Sequence, residues 1–415
     1  MARVFDRFLL DTLYRGIGKP PVRISLWNGL DIGPENNETL IAHVSIRDRG
    51  IFYRLFTNPD MYFGEGYSSG RIQVNGNLVQ FLDTIYRHMR NADRNWLARA
   101  ITHWQARPRR NSLNGSKNNI YKHYDIGNDF YNLWLDEAMQ YTCAYYPSPD
   151  AALEDAQTAK MDHIARKLQL RAGETVVEAG CGWGALGLHL AKNYGVKVKA
   201  YNISHQQILY ARERAASEGM QDMIEYIEDD YRNIKGKFDV FVSVGMLEHV
   251  GVDNYKELGD VINGCLKADG RGLIHSIARN RPVRMNAWIE RNIFPGAYPP
   301  TMRECMDIFE DNNFSLLDVE NIRLHYAQTL MHWLERFEKH SDDIARNFDE
   351  AFLRAWRLYL AGSVAAFSSG ALQLFQIVFA PGESNQVPWT RDHIYKDSHA
   401  SYEDAEEVWK RAMSS

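Results

Sequence analysis

The chain has 415 residues, which is long for one domain and sufficient for two. A hydrophobic fraction of 45%, a charged fraction of 24% and a net charge of −5 are those of an ordinary globular protein and argue against bulk binding of nucleic acid. The four cysteines are widely spaced without metal-type pairing, and no apolar run approaches the ~20 residues of a membrane-spanning helix, so we expect a reduced protein with no metal site.

Residues 1–105 are predicted to form a small, separate α+β domain. Hydrophobic periodicity and alternation predict its elements, with helices at 4–14, 50–55 and 78–89, strands at 23–27 and 43–46, and two turns with a short strand at 61–76. No catalytic constellation is visible in this region. The domain is therefore predicted to serve as a dimer surface, a lipid-presenting surface or a scaffold.

Residues 106–118 are predicted to be a linker that precedes a catalytic domain at 119–415. The segment is rich in Arg, Lys, Asn, Ser and Gly and has no apolar periodicity. Its basic residues are Arg107, Arg109, Arg110 and Lys117. One interpretation is a solvated linker. The other is contact with anionic lipid headgroups, where each basic residue contributes roughly 1 kcal/mol.

A strand, a glycine turn, a helix and a second strand are predicted within 175–207. A β-branched run begins the first strand, and the turn after it contains Gly180, Gly182 and Gly184. The second strand ends near Asn202, where a polar side chain can hold ribose hydroxyls. This order of elements is the first half of a nucleotide-binding sheet.

The glycine pattern leaves the kind of nucleotide open. Gly182, Gly184 and Gly187 fit the dinucleotide pattern G-x-G-x-x-G, although a single match of that kind is weak. Glu178 precedes the turn, and the glycines alternate from Gly180, which resembles methyltransferases that use S-adenosylmethionine. A carboxylate at that place can meet the cationic amino-acid end of this ligand, whereas it would repel a pyrophosphate. A turn that serves only packing is the third interpretation.

The remaining chain alternates strands and helices, which predicts a parallel, doubly wound α/β sheet. Strands are expected at 224–227, 238–244, 272–277, 314–319 and 372–380. In such sheets the ligand lies outside the carboxyl ends of the strands. Glu248 and His249 follow one strand there and could form an acid–base pair. The alternative is a helix-capping acid beside a surface histidine.

Six segments occur in a characteristic order over about residues 120–380: HYDIGNDFYNLWLDEAMQYTCAYY, EAGCGWGALGLHLA, SVGMLEHVG, NIFPGAYPP, HYAQTLMHWLERF and LQLFQIVF. In them the chain resembles the cyclopropane-fatty-acyl-phospholipid synthases, a family that includes the mycolic acid cyclopropane synthases. The earlier segment GEGYSSGRIQV resembles the N-terminal domain of full-length bacterial members. The resemblance implies an α/β, Rossmann-like methyltransferase fold with a smaller N-terminal α+β domain, and an S-adenosylmethionine-dependent C-methyltransferase.

The resemblance also implies which residues bind the cofactor. Together with Glu178, the expected set is Tyr141, Thr142, Gly180, Gly182, Asn202, Ile203, Gln207, Asp230 and Tyr231. Three positions depart from the family pattern. Asn202 stands for a threonine and Thr142 for a serine, and both keep a polar side chain. Leu247 stands for a phenylalanine, a change expected to reshape the acyl pocket.

The family further implies a bicarbonate ion, held by Cys143, Glu248, His275, Ile277 and Tyr326. We expect Glu248 to accept a hydrogen bond from its OH and His275 and Tyr326 to donate. We expect Cys143 to contribute its backbone N–H, because no partner that would activate a thiolate can be identified in the sequence.

The implied chemistry passes through a carbocation on the acyl chain, from which a base removes a proton so that the ring closes. Aromatic faces can stabilise such a charge by about 0.5–2 kcal/mol each. The candidates are Tyr141, Tyr145, Tyr326, Trp333 and Phe367. Loss of a proton from a neighbouring carbon of the same cation would instead give a methylene branch, and reduction by a partner would give a methyl branch. A heteroatom methyltransferase and a non-catalytic lipid- or nucleotide-binding module are further alternatives.

The expected substrate is the acyl chain of an unsaturated phospholipid at a membrane surface. The N-terminal residues lack the features of a signal peptide, so we expect a cytoplasmic protein that contacts the inner face of the membrane peripherally. The family resemblance also suggests a homodimer.

Overall fold

Two β-sheets organise the chain in the computed structural model, which describes residues 2–35, 40–92 and 126–395. The smaller sheet is N-terminal and contains β1 (Val22–Leu26), β2 (Asp31–Ile32), β3 (Ala42–Ile46) and β4 (Ile72–Gly76). In the order β2-β1-β3-β4, β1 and β3 are parallel and the outer strands run antiparallel to their neighbours. Buried and half-buried residues alternate along β1 and β3, so one face of this sheet packs inward.

The N-terminal helices are α1 (Ala2–Gly16), α2 (Arg49–Arg54), α3 (Pro59–Ser68) and α4 (Leu78–Ala92). The prediction of two turns over 61–76 is wrong, because α3 covers the first part of that stretch. The Asn58 side chain caps the helix by accepting the Met61 N–H at 3.1 Å, and Pro59 begins its first turn.

The glycines of α3 allow close packing. A Cβ on Gly64 would overlap the indole of Trp288, and one on Gly66 would lie 2.6 Å from Ile72 Cδ1. Gly64 and Gly66 therefore mark close approaches of the helix to its neighbours, and the sequence pattern of a turn was misleading.

The large sheet holds β5 (Thr175–Ala179), β6 (Lys197–Asn202), β7 (Ile224–Glu228), β8 (Phe238–Val244), β9 (Leu266–Ala278), β10 (Phe314–Asn321) and β11 (Gln373–Pro381). Its order is β10-β11-β9-β8-β5-β6-β7. Strands β5 to β9 pair in parallel, whereas β11 runs antiparallel to both β9 and β10. The predicted doubly wound α/β sheet is confirmed, with β11 as its antiparallel exception.

The helices around this sheet follow in chain order. They are α5 (Asn128–Asn132), α6 (Leu153–Lys167), α7 (Ala185–Tyr194), α8 (His205–Ser217), α9 (Leu247–Val250), α10 (Tyr255–Cys265), α11 (Ala287–Asn292), α12 (Met302–Cys305), α13 (Arg323–Lys339), α14 (Ser341–Ala345), α15 (Glu350–Ser368) and α16 (Asp392–Tyr395).

Helix α15 joins the N-terminal region to the catalytic part. Arg354 donates from Nε to the Tyr67 carbonyl at 2.6 Å and from Nη2 to the Ile72 carbonyl at 3.1 Å. Ser368 Oγ donates to Asp83 Oδ1 at 2.6 Å. One hydrophobic core also runs through both regions. The N-terminal region is thus packed against the catalytic part over a continuous core.

The predicted linker at 106–118, with Arg107, Arg109, Arg110 and Lys117, lies outside the described residues, as does the boundary at 105. The division into domains therefore stays a prediction. Within the part of the chain that the structure describes, no helix combines the length and apolar character needed to cross a membrane.

Candidate active site

The glycine turn after β5 is held by hydrogen bonds to the neighbouring strands. The backbone N–H groups of Gly180 and Cys181 donate to the Tyr201 carbonyl at 2.8 and 3.1 Å, and the Tyr226 hydroxyl donates to the Gly184 carbonyl at 2.6 Å. Gly184 has a φ of +84°, and a Cβ there would lie 2.6 Å from the Tyr226 hydroxyl oxygen. Position 184 must therefore be a glycine, whereas a Cβ on Gly182 would meet no protein atom within 4 Å, which leaves the backbone there open to a ligand.

One pocket at this edge of the sheet is lined by every residue predicted to bind the cofactor. They are Tyr141, Thr142, Glu178, Gly180, Gly182, Asn202, Ile203, Gln207, Asp230 and Tyr231. The topology explains this, because β5, β6 and β8 are neighbours and their carboxyl ends meet at one edge. The individual role of each residue stays a prediction.

The end of β6 is tied to the turn by Asn202. Its Nδ2 donates to the Gly182 carbonyl at 3.2 Å and to Gln207 Oε1 at 2.7 Å. Farther along the pocket, Arg232 lies 3.2 Å from a carboxylate oxygen of Asp230 and 4.9 Å from the ring centroid of Tyr231. Sequence reasoning missed Arg232, which orders the segment expected to flank the adenine.

Glu178 and Lys160 place opposite charges in the pocket wall. Burial raises the pKa of Glu178 to about 7, even though the Gly187 N–H bonds to its carboxylate. Burial lowers the pKa of Lys160 to about 8. Lys160 Nζ also donates to Thr142 Oγ1 at 2.8 Å. A carboxylate and an ammonium in one pocket match the zwitterionic amino-acid end of S-adenosylmethionine.

Lys160 was not identified from the sequence, although a signal was present. It lies on the buried stripe of α6, in the helical series that runs through Leu153, Ala156 and Gln157. A lysine in such a stripe is unusual, because it must lose its hydration unless it has a partner. That position alone could have marked Lys160 as a functional candidate.

A larger cavity of about 1080 Å³ adjoins the cofactor pocket. The two share four lining residues, Tyr141, Thr142, Gly245 and His249. The far wall comes from the N-terminal region and is mostly apolar, with residues such as Ile24, Val44, Phe63 and Ile85. This shape and lining suit a long hydrocarbon chain whose reacting carbon reaches the cofactor.

All five residues predicted to hold bicarbonate, Cys143, Glu248, His275, Ile277 and Tyr326, line this cavity. The backbone N–H of Ile277 donates to Glu248 Oε1 at 2.5 Å. Burial raises the pKa of Glu248 to about 7. Its Oε2 is buried and has no hydrogen-bond partner among the described residues.

His275 presents a second buried polar atom in the same wall. Gln376 Nε2 donates to His275 Nδ1 at 3.2 Å, which assigns the ring proton of the neutral histidine to Nε2. Burial lowers the pKa of His275 to about 3, so the ring is neutral at physiological pH. Within residues 2–35, 40–92 and 126–395, its Nε2 has no hydrogen-bond partner.

The Cys143 thiol is not poised as a nucleophile. It is fully buried and donates to the Ala144 carbonyl at 3.1 Å. Burial raises the pKa of this thiol far above its usual range. A protonated, buried thiol is a poor nucleophile, which agrees with the expected use of the Cys143 backbone.

Several sequence expectations about this region need correction. Tyr145 does not line the cavity, because its ring stacks between His163 and His325 at 4.0 and 4.8 Å. Trp333 packs behind Tyr141, with ring centroids 5.3 Å apart, and also does not line the cavity.

The expectations for Leu247 and His249 also need correction. Leu247 belongs to the core cluster on the other side of the sheet and does not line the cavity, so it does not shape the acyl pocket directly. His249 is half-buried in the wall shared by both sites, and the interpretation as a surface histidine is wrong. Tyr141, Tyr326 and Phe367 do line the cavity.

Comparison with known proteins agrees with this geometry. Residues 111–377 match the family model of mycolic acid cyclopropane synthetase, and residues 9–95 match a domain of unknown function, DUF7884. The chain is 35% identical over 393 residues to a probable fatty acid methyltransferase of Pseudomonas putida, covering 91% of this chain and 96% of the relative. It is 40% identical over 265 residues to the cyclopropane-fatty-acyl-phospholipid synthase of Escherichia coli K12, covering 64% of this chain and 68% of the relative.

A solved structure shows the same fold. The cyclopropane synthase MmaA2 of Mycobacterium tuberculosis superposes with a TM-score of 0.61 at 27% identity, covering 64% of this chain and 98% of its own. The family match spans more than half of the chain and includes the glycine turn and the part of the cavity wall that holds Glu248 and His275. The chain therefore belongs to the mycolic acid cyclopropane synthetase family and is an S-adenosylmethionine-dependent methyltransferase.

Proposed function

We propose that this enzyme transfers a methylene from S-adenosylmethionine to the cis double bond of an unsaturated phospholipid acyl chain and closes a cyclopropane ring. The observation that carries the proposal is the wall shared by the cofactor pocket and the apolar cavity at Tyr141, Thr142, Gly245 and His249. A methyl donor in the first site and an alkene in the second would meet there, which supplies the alignment that a weak alkene nucleophile needs.

The cavity wall fits a bicarbonate ion. Glu248 Oε2 offers a buried acceptor and His275 Nε2–H a buried donor, and neither has a partner among the residues that the structure describes. Such atoms are costly to leave unpaired, so a small polar guest that accepts from one and donates to the other is favoured. A bicarbonate ion bound there would supply the base for the proton of the newly added methyl group.

The residues of the chain have separate tasks in this scheme. With a pKa of about 7, Glu248 is largely ionised in mildly alkaline solution and accepts the OH of the guest. His275 stays neutral and donates from Nε2, and the Tyr326 hydroxyl is a further donor. The Ile277 N–H fixes the Glu248 carboxylate at 2.5 Å. The Cys143 backbone N–H is assigned to the same guest.

Exclusion of water protects the cation on the acyl chain. Tyr326 is 9% exposed and its ring centroid lies 4.6 Å from that of Phe367, so two aromatic rings stand together in the cavity wall. Aromatic faces stabilise positive charge by about 0.5–2 kcal/mol each without acting as nucleophiles. An apolar wall elsewhere keeps out the water that would quench the cation.

A second function is the formation of methylene- or methyl-branched chains from the same cation. It is favoured by the relative of Pseudomonas putida, which matches 91% of this chain and is named as a probable fatty acid methyltransferase. Loss of a proton from a neighbouring chain carbon would give the methylene branch, and a methyl branch would then require reduction by a partner. The cyclopropane proposal is preferred because of the 40% identity to the cyclopropane-fatty-acyl-phospholipid synthase of Escherichia coli K12.

The membrane partner follows from the proposed substrate. We place the enzyme in the cytoplasm, in peripheral contact with the inner face of the membrane, where unsaturated phospholipids present their chains. A homodimer is retained as a prediction from the family resemblance.

The test is the NMR spectrum of lipids after incubation of the full chain with unsaturated phospholipid vesicles and labelled S-adenosylmethionine. Labelled upfield cyclopropane protons are the expected result. Vinylidene or branched-methyl signals would replace the first proposal by the second, and absence of labelled lipid would overturn both.

A further inference from the structure

The apolar cavity has a cationic segment in its wall, between β9 and α11. Its side chains are those of Arg279, Asn280, Arg281, Arg284 and Asn286, and all of them line the cavity. Arg281 and Arg284 are exposed, so this part of the wall lies where the cavity meets solvent. Nothing in the transfer of a methyl group to an alkene requires these charges.

Arg279 shapes the segment. Its Nη1 donates to the carbonyls of Val283 and Arg284 at 2.7 and 2.8 Å, which folds the chain back and presents Arg284 beside the cavity. Its Nε is buried and has no hydrogen-bond partner in the described part of the chain. The guanidinium therefore orders the loop and keeps one donor unused.

The spacing along β9 relates this segment to the reaction site. His275, Ile277 and Arg279 are alternate residues that line the same cavity. Four strand residues span roughly 13 Å. An extended hydrocarbon advances about 1.25 Å per carbon, since a C–C bond of about 1.5 Å is inclined to the chain axis. About ten carbons thus fit between the Arg279 and His275 positions.

The apolar side chains at the mouth complement these charges. Phe56 and Met89 line the cavity and are still 39% and 43% exposed. Asp60 also lines this region, and burial raises its pKa whereas the charge of Arg279 lowers it. Among the described residues that line this mouth, Asp60 is the acidic side chain, and the basic ones are Arg279, Arg281 and Arg284. A mouth with exposed apolar groups and excess positive charge suits an amphiphile that carries an anion.

We propose that the 279–284 segment binds the phosphate of the phospholipid substrate and thereby sets which part of the acyl chain reaches Glu248 and His275. The inference rests on the proposed function and specifies its substrate as a phosphate-bearing lipid. Guanidinium groups suit this task because they form paired, charge-assisted hydrogen bonds with phosphate oxygens.

The first experiment measures binding without turnover. Calorimetry on the full chain compares 1-stearoyl lysophosphatidic acid with monostearin, which has the same acyl chain but no phosphate, in one uncharged detergent. Wild-type protein is expected to prefer the phosphate lipid. The R281A/R284A double variant is expected to lose about 10- to 100-fold of affinity for that lipid alone, as two charge-assisted contacts are removed.

Two control variants distinguish the loss of positive charge at the cavity from a general effect on folding. Arg291 lies on α11 outside the cavity with a side chain that is 66% exposed, so Arg291→Ala should change neither affinity. Arg284→Lys keeps the charge and should retain most of the preference. Equal losses for both lipids in R281A/R284A, or no preference in the wild type, would overturn the subsite.

Free phosphate provides the competing explanation and a separate arm. Inorganic phosphate that binds the wild type and not R281A/R284A, while lipid affinity is the same in both, would assign the arginines to a free anion and overturn the headgroup subsite. Incubation with 1-oleoyl lysophosphatidic acid and S-adenosylmethionine tests the reaction itself. Phosphate-dependent binding without any lipid product would reject the proposed function and leave the subsite supported.

Discussion

Replacing Glu248 with glutamine tests the base site most directly. Glutamine keeps an oxygen that can accept the Ile277 N–H, which now lies 2.5 Å from Glu248 Oε1. The second oxygen, which is buried and has no partner among the described residues, becomes an amide NH₂. An acceptor turns into a donor, and the lost charge-assisted bond is worth about 1.5–3 kcal/mol. We expect kcat/KM to fall by roughly 10- to 100-fold.

The same variant should be more stable at high pH. Burial raises the pKa of Glu248 from 4.5 to about 7, so the unfolded chain releases this proton first as the pH rises. The contribution of this raised pKa to the free energy of unfolding is fully present below pH 4.5 and is lost as the pH rises to about 7. This difference in pKa corresponds to roughly 3 kcal/mol of stability, which the wild type loses at high pH and Glu248→Gln does not.

Three measurements test these expectations. Lipid turnover of Glu248→Gln should fall while its S-adenosylmethionine affinity stays unchanged, and thermal unfolding is recorded at pH 4.5 and pH 8. The midpoint of Glu248→Gln relative to wild type should be several degrees higher at pH 8 than at pH 4.5. Glu225→Gln, whose parent side chain is 60% exposed, serves as the control and should change neither quantity. Unchanged turnover in Glu248→Gln would refute the bicarbonate assignment.

Three further substitutions test the cofactor pocket and the packing of the N-terminal region. Gly182→Val should lower S-adenosylmethionine affinity at least 100-fold in calorimetry, and normal affinity would contradict the pocket. The protein should still fold, because no protein atom lies within 4 Å of a Cβ there and the left-handed backbone costs only about 1–2 kcal/mol. Lys160→Met should weaken binding of S-adenosylmethionine. It should also remove the decline in affinity expected in the wild type as the pH passes about 8, where Lys160 loses its charge. An identical pH profile of affinity in both proteins would exclude a role for the ammonium group. Gly64→Val should lower the unfolding temperature, because its side chain would overlap Trp288 at a cost of about 1–3 kcal/mol. The control is Gly16→Ala, whose Cβ meets no atom within 4 Å. Equal stability of the two variants would exclude the close packing of α3.

The sequence predicts that the glycine turn and the polar strand ends lie together, because the signals for both are local. The turn from Gly180 to Gly184 and the polar end of β6 at Asn202 each follow directly from a strand, and parallel strands bring their carboxyl ends to one edge. The alternation of strands and helices predicts the same edge for Glu248. Their neighbourhood could therefore be inferred from local pattern, whereas the cofactor roles of residues such as Tyr141 and Thr142 were implied by the family resemblance and stay predictions.

The cavity could not be inferred in this way, because its walls are distant in sequence. Residues such as Ile24 and Phe63 meet His275 only after the N-terminal region has packed on α15. Nor does periodicity distinguish an aromatic side chain in a cavity wall from one that stacks on other rings elsewhere. Tyr326 and Tyr145 were both candidates for stabilising the cation with an aromatic face, and only Tyr326 lines the cavity.

The misreading of α3 has the same cause. Gly64 and Gly66 indicate a turn when only local conformation is considered, but here they permit contact with Trp288 and Ile72. In the structure Asn58 and Pro59 begin the helix, as the cap and the first residue. A glycine that is required by a tertiary contact carries no local mark that separates it from a glycine required by a turn.

The N-terminal region and the catalytic part contribute different residues to the cavity, and this affects substrate specificity. The atoms assigned to chemistry, on Glu248 and His275, come from the catalytic part, whereas much of the apolar wall comes from residues 12–89. Changes in that wall can alter the length and shape of the accepted chain without touching a reacting group. Because the same wall also belongs to the core shared with α15, such changes must preserve packing, and substrate choice is tied to the stability of the contact between the two regions.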